Sequence, residues 1–147
     1  MPTESNRTPM GAMSRRRLLL AWAVSAAGAD QAFAQQTPSG GGGRFPDVLS
    51  AKVRATPGGN FDFDVTVSSP YDTPQRYADG FRVVAPNGSV LGERKLWHDH
   101  QGEQPFTRDL YAVPIPPGVR TVTIQARDQK YGYGGLSIVV TLPPRQP

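Results

Sequence analysis

The stretch KLWHDHQGEQPFTRDLY, running from Lys95 to Tyr111, holds both histidines of the chain, His98 and His100, with Glu103 close behind. Two imidazoles with one or two carboxylates are a donor set for zinc or copper, ions that take three or four N or O ligands. His-x-His supplies two of these. Glu103, from the same loop, and Asp128, farther along the chain, are the candidates for the rest. The same residues admit two other uses. A histidine can donate to a backbone carbonyl or to Asp128 and tie one end of the fold together, or the pair can face a partner and make binding pH-sensitive.

Covalent catalysis finds little to work with. Acyl transfer needs a nucleophile held beside its base, yet there is no cysteine and no Gly-x-Ser-x-Gly elbow. Glu103 and Asp128 can be imagined as the paired carboxylates of a glycosidase, but any acidic rim offers as much. Gly132, Gly134 and Gly135 precede no helix that could lend its N-terminus to a phosphate. They read instead as positions of positive φ in a tight loop that exposes Tyr131 and Tyr133. No enzymatic activity is expected.

The elements that must position these residues are short strands. Phe61, Phe63, Val65 and Val67 alternate with Asp62, Asp64, Thr66 and Ser68, the pattern of a half-buried strand. Similar runs cover Val48–Ala55, Phe81–Ala85, Ser89–Trp97, Pro105–Val113, Val119–Asp128 and Leu136–Leu142, separated by turn residues. Fifteen prolines and sixteen glycines would be hard to place in helices. Seven strands in roughly 100 residues predict an all-β, immunoglobulin-like or fibronectin type III-like sandwich, with a small barrel as the competing architecture. The missing cysteines remove the inter-sheet disulfide and favour the fibronectin type III side. Within Glu103–Arg108, Pro105 belongs at a strand start and Phe106 is a core anchor. Arg108 either emerges at an edge or pairs with Asp79 or Glu103.

Residues 1–34 read as a signal peptide. Ser14-Arg15-Arg16-Arg17 precedes the apolar run Leu18–Val24, and Ala32-Phe33-Ala34 supplies a small-x-small cleavage site. Ser-Arg-Arg-x-Leu-Leu fits a twin-arginine signal, and an ordinary Sec signal is the alternative. The apolar run is shorter than the roughly 20 residues a membrane span needs, so the mature chain is expected to be periplasmic or otherwise exported, without a span. Residues 35–46, with the run Gly40–Gly43, read as a disordered tether, and 47–143 as the sandwich. From Gln35 onward twelve Lys and Arg face ten Asp and Glu, a net charge of +2 against +4 for the whole chain. Those cations are scattered, which argues against nucleic acid. All three methionines lie in the leader, so methionine-rich copper ligation is excluded from the mature chain.

If strand direction alternates, the connections fall on two poles. Thr56–Asn60, Pro86–Gly88 and Pro114–Gly118 are compact turns at one. Ser69–Gly80, the histidine loop and Gln129–Gly135 share the other, which gathers Tyr71, Arg76, Tyr77, Tyr131 and Tyr133, with Trp97 nearby. Tyrosine, tryptophan and arginine are the residues of interface hot spots, and loops on a rigid scaffold commonly carry binding. This pole is therefore the expected contact surface for another periplasmic protein. No cofactor is required; one zinc or copper ion is the conditional exception.

The run LGERKLWHDHQGEQPFTRDL with the later IPPGVRTVTIQARDQKYGYGG resembles a family of small, functionally uncharacterised bacterial exported domains. Its pattern is matched at Leu91, Gly92, Arg94, Leu96, His98, His100, Glu103, Gln104, Pro105, Phe106, Thr107 and Arg108. The likeness runs from about Phe81 onward. Asp99 stands where the family pattern has proline, and Trp97 where it has a smaller residue. The resemblance implies a sandwich fold and export and brings no activity with it.

Overall fold

The computed structural model describes residues 31–35 and 44–147. The charged and apolar stretch of the leader and the glycine run of the tether lie outside the described residues. Nine strands follow in order: β1 (Gln31–Gln35), β2 (Asp47–Thr56), β3 (Asn60–Ser68), β4 (Ala78–Val84), β5 (Val90–Lys95), β6 (Phe106–Pro114), β7 (Thr121–Asp128), β8 (Gly132–Tyr133) and β9 (Ile138–Thr141). There is no helix among the described residues, hence none long and apolar enough to cross a membrane. The strands form two antiparallel sheets. One has the order β1-β2-β3-β6; the other runs β5-β4-β7, with β8 and β9 both pairing β7. Seven strands match the expected ones. β1, on residues read as leader, and the two-residue β8 are additional.

Alternation puts Phe61, Phe63, Val65 and Val67 of β3 and Val122, Ile124 and Ala126 of β7 into one shared core, each no more than 1% exposed. Burying a side chain of this size is worth about 1.5–3 kcal/mol, so these two central strands hold the scaffold. Two expected faces shift by a residue. Alternation back from Ala51 and Val53 would turn Leu49 inward, but a bulge between Val48 and Ser50 turns Val48 into the core and leaves Leu49 half-buried. A bulge opposite Val83 and Val84 likewise leaves Val90 48% exposed, while Leu96, of the same alternation parity, is buried. An extra residue on one strand swaps the faces on either side of it, and no local pattern announces it.

The compact turns at Gly58–Gly59 and Ile115–Pro116 meet at one end, where the Arg145 guanidinium donates to the carbonyls of Ile115 (2.7 Å) and Pro116. The longer loops meet at the opposite end.

Candidate functional site

Two buried carboxylates organise that opposite end. Asp72 sits in the loop from β3 to β4 and is 2% exposed. Its Oδ1 accepts from the Ala78 amide (3.0 Å) and its Oδ2 from the His100 amide (3.1 Å), so it joins its own loop to the histidine loop. Gln104 makes a second join. Its Oε1 accepts from the Ser69 amide (2.7 Å), while Nε2 donates to Ser69 Oγ (3.2 Å) and the His100 carbonyl (3.1 Å). Tyr77 adds a third, its hydroxyl donating to the Trp97 carbonyl (3.2 Å).

Asp128, the last residue of β7, keeps the inward parity of Val122, Ile124 and Ala126 and is fully buried. Its carboxylate accepts from Tyr71 Oη (2.7 Å), Arg76 Nε (3.1 Å) and the amides of Lys130 (2.8 Å) and Tyr131 (2.7 Å). Burial opposes its charge, but the bonds from Tyr71, the Tyr131 amide, Arg76 and the Lys130 amide outweigh it and hold the acid below the ordinary carboxylate range. Burial, then the bond to Asp128, pushes the Tyr71 phenol far above its ordinary value, so it stays a donor. The Arg76 guanidinium lies over the rings of Tyr71 (4.3 Å) and Tyr131 (4.8 Å). Phe45 meets the edge of Tyr131 with centroids 6.2 Å apart.

The structure thus brings Tyr71, Arg76 and Tyr131 into one cluster around Asp128, and Tyr77, Trp97, His98 and His100 into an adjoining one. The loop from Ser69 to Tyr77 bridges them. Tyr133 is placed elsewhere. It lies on the outer face of the β5-β4-β7 sheet, donating to Glu93 (2.8 Å) beneath the Arg82 guanidinium (3.6 Å). Every acceptor bond of Asp128 is directed into its own cluster, and no three His, Asp or Glu side chains among the described residues come together as a metal-ligand group.

His98 is exposed and His100 is 3% exposed. Their ring centroids are 5.0 Å apart, and His100 stacks on Phe106 at 3.9 Å with 12° between the planes. His100 Nδ1 lies 4.0 Å from Asp72 Oδ2, too far for a hydrogen bond, and neither ring nitrogen has a partner among the described residues. Burial foremost, then the nearby Arg108 and His98, lowers the His100 pKa below the ordinary imidazole value. Glu103 pairs with Arg108 at 3.0 Å, one of the two pairings open to that arginine, and the pair holds Glu103 below its ordinary value. Phe106 is the core anchor expected of it.

A pH dependence follows. The unfolded chain takes up a proton at the ordinary value near 6.5, while the folded site resists it. The stability His100 contributes is therefore complete above that value and is lost as pH falls through the lowered folded pKa. The melting temperature of the wild type is expected to drop between pH 7 and pH 5. His100→Phe, which keeps the stack on Phe106, should flatten that drop; equal slopes for the two proteins would contradict it.

Gly132 and Gly135 have positive φ, +80° and +74°, as their loop requires. Gly134 has a different reason: a Cβ there would collide with the Phe45 ring. This loop receives the segment ahead of β2, which Asp47 pins by accepting from the Leu136 amide at 2.7 Å. Asp72 and Ser69 were not singled out in sequence, and Gln104, which joins Ser69 to the histidine loop, stood there only as a matched position of the family pattern. The available signal was Asp72-Thr73-Pro74, since an aspartate opening a proline turn commonly accepts backbone N–H bonds downstream.

Among curated proteins, a "Putative lipoprotein" of Halomicrobium mukohataei is 34% identical over 97 residues. The match covers 66% of this chain and 47% of that protein, so the chain spans about half the length of its relative. No protein-family model matches the chain. No solved structure matches it either.

Proposed function

We propose that the protein is an exported, non-enzymatic binding or assembly module that engages another envelope protein through its loop pole. One observation carries this reading. Trp97 and Tyr131 stand 77% and 43% exposed on loops whose backbone and acidic groups are already bonded to one another. A framework held this way presents aromatic side chains with little ordering left to do on binding, which favours affinity. Tyr71, Arg76 and Tyr77 support that rim from beneath.

Export rests on the leader, by the twin-arginine or the Sec route into the periplasm, and the likeness to a relative named as a lipoprotein suits an envelope location. The order β2-β3-β6 facing β5-β4-β7-β9 supports fibronectin type III-like wiring, since those domains set three strands against four. The test is capture from the envelope fraction with purified wild type and with Trp97→Ala/Tyr131→Ala. The variant should keep its melting temperature and lose at least 90% of a specific partner. Identical captured sets would overturn the reading.

A second reading has its own observation. His100 keeps two buried, unpartnered nitrogens beside His98, an arrangement that suits a soft or borderline ion, zinc or copper, with Glu103 on the same loop as a carboxylate ligand. Protein purified after growth with zinc or copper would then hold stoichiometric metal and lose it in His98→Ala/His100→Ala. Metal-free protein whose melting is unmoved by added metal would end this reading.

A further inference from the structure

A second feature lies on the outer face of the β5-β4-β7 sheet. Cross-strand register sets Lys95, Gly80, Arg127 and Tyr133 in one row and Glu93, Arg82 and Gln125 in the next. Gly80 interrupts the first row of side chains, and the Arg94 backbone comes close over it. A Cβ there would stand 2.6 Å from the Arg94 carbonyl oxygen. The result is a cleft of about 230 Å³ lined by Asp79, Gly80, Glu93, Arg94, Lys95 and Arg127.

Asp79 is turned onto this face by a bulge between Ala78 and Gly80. It is 6% exposed, and its Oδ2 accepts from Arg127. Its Oδ1 has no hydrogen-bond partner among the described residues. A buried polar atom with no partner is costly to leave unsatisfied, and here the unsatisfied acceptor borders a cleft. At the cleft's end the Lys95 ammonium lies 5.3 Å from the ring of Trp97, whose indole is mostly open.

These groups define a ligand by chemistry. Lys95 and Arg127 offer cations to a carboxylate. Asp79 and Glu93 offer acceptors to hydroxyl groups, which a sugar supplies and a bare phosphate does not. Trp97 offers an apolar plate, which suits the C–H face of a pyranose ring. We propose that the cleft binds a carboxylated sugar, as the free uronic acid or as a unit of an acidic polysaccharide. This site does not depend on the loop pole, although Trp97 borders both.

Purified wild-type protein is titrated with galacturonic acid, glucuronic acid and oligogalacturonate, and with galactose and inorganic phosphate as comparisons, by calorimetry and amide NMR. At least one of the acidic sugars should bind at least tenfold more tightly than galactose or phosphate. The resonances that move should be those of Gly80, Lys95, Arg127 and the Trp97 indole. Lys95→Ala and Trp97→Ala should each weaken binding at least fivefold, whereas Tyr131→Ala, confined to the pole, should leave it unchanged. Absence of binding by all three acidic probes, equal binding of galactose or phosphate, or shifts confined to other regions would each overturn the proposal. Loss of pole partners in Tyr131→Ala with sugar binding intact would separate the two surfaces.

Discussion

Asp128→Ala is expected to destabilise the fold by about 3–5 kcal/mol, the cost of removing one partner from a buried pair. The substitution strands the Arg76 guanidinium, the Tyr71 hydroxyl and the amides of Lys130 and Tyr131, all of which converge on this one carboxylate. Arg76 is 28% exposed and recovers some hydration, so the lower end of that range applies. For a domain of this size that is a fall in Tm of roughly 15 °C. Asp128→Asn keeps the shape but not the charge and should cost less. The sign with pH is also fixed. Because the folded carboxyl is held below its ordinary value, its contribution is complete above that value and is lost as pH falls through the folded pKa. Thermal melts from pH 7 to pH 3 check this: the gap between wild type and Asp128→Asn should close as the solution becomes acid. A variant within about 1 kcal/mol of wild type at pH 7 would mean that the cluster does not hold the loops.

Asp72→Ala is the second large effect. It leaves the amides of Ala78 and His100 buried without acceptors. At about 1–3 kcal/mol for each stranded donor, the loss is about 2–6 kcal/mol, measured by denaturant or thermal unfolding. It should also loosen the histidine loop selectively, because His100 is positioned by this bond and by its stack on Phe106. Asp72→Asn retains one acceptor oxygen and should restore part of the loss. Asp72 holds the amide of Ala78, the cross-strand partner of Asp128, and adjoins Tyr71, which bonds Asp128, so the two effects should couple and not simply add.

Much of this was legible in the chain because the strands are written in alternation. Phe61–Val67 and Val122–Ala126 can satisfy their pattern only as strands with one face buried, and both do. The gathering of the tyrosine and histidine loops at one end followed from reversing direction at each strand. Bulges escaped, at Val48, Val84 and Asp79, because an extra residue leaves composition unchanged while it reverses a face. Tyr133 escaped for a related reason. The two residues of β8 pair with Arg127 and Asp128 and carry that ring onto the sheet instead of the rim. Asp128 was legible as an inward-facing acid, but its side-chain partners Arg76 and Tyr71 were not, since they lie 52 and 57 residues earlier in the chain. Gly134 looked like a turn glycine, and its reason is the Phe45 ring that packs against it.

The central claim is that two buried carboxylates fasten three loops into one rigid rim. Amide hydrogen exchange of the wild-type protein tests it directly, read at His100 and Ala78 for Asp72 and at Lys130 and Tyr131 for Asp128. All four amides should exchange far more slowly than open loop positions such as Gly102, with Asp72→Ala releasing the first pair and Asp128→Ala the second. Rapid exchange at all four in the wild type, as fast as at Gly102, would contradict it.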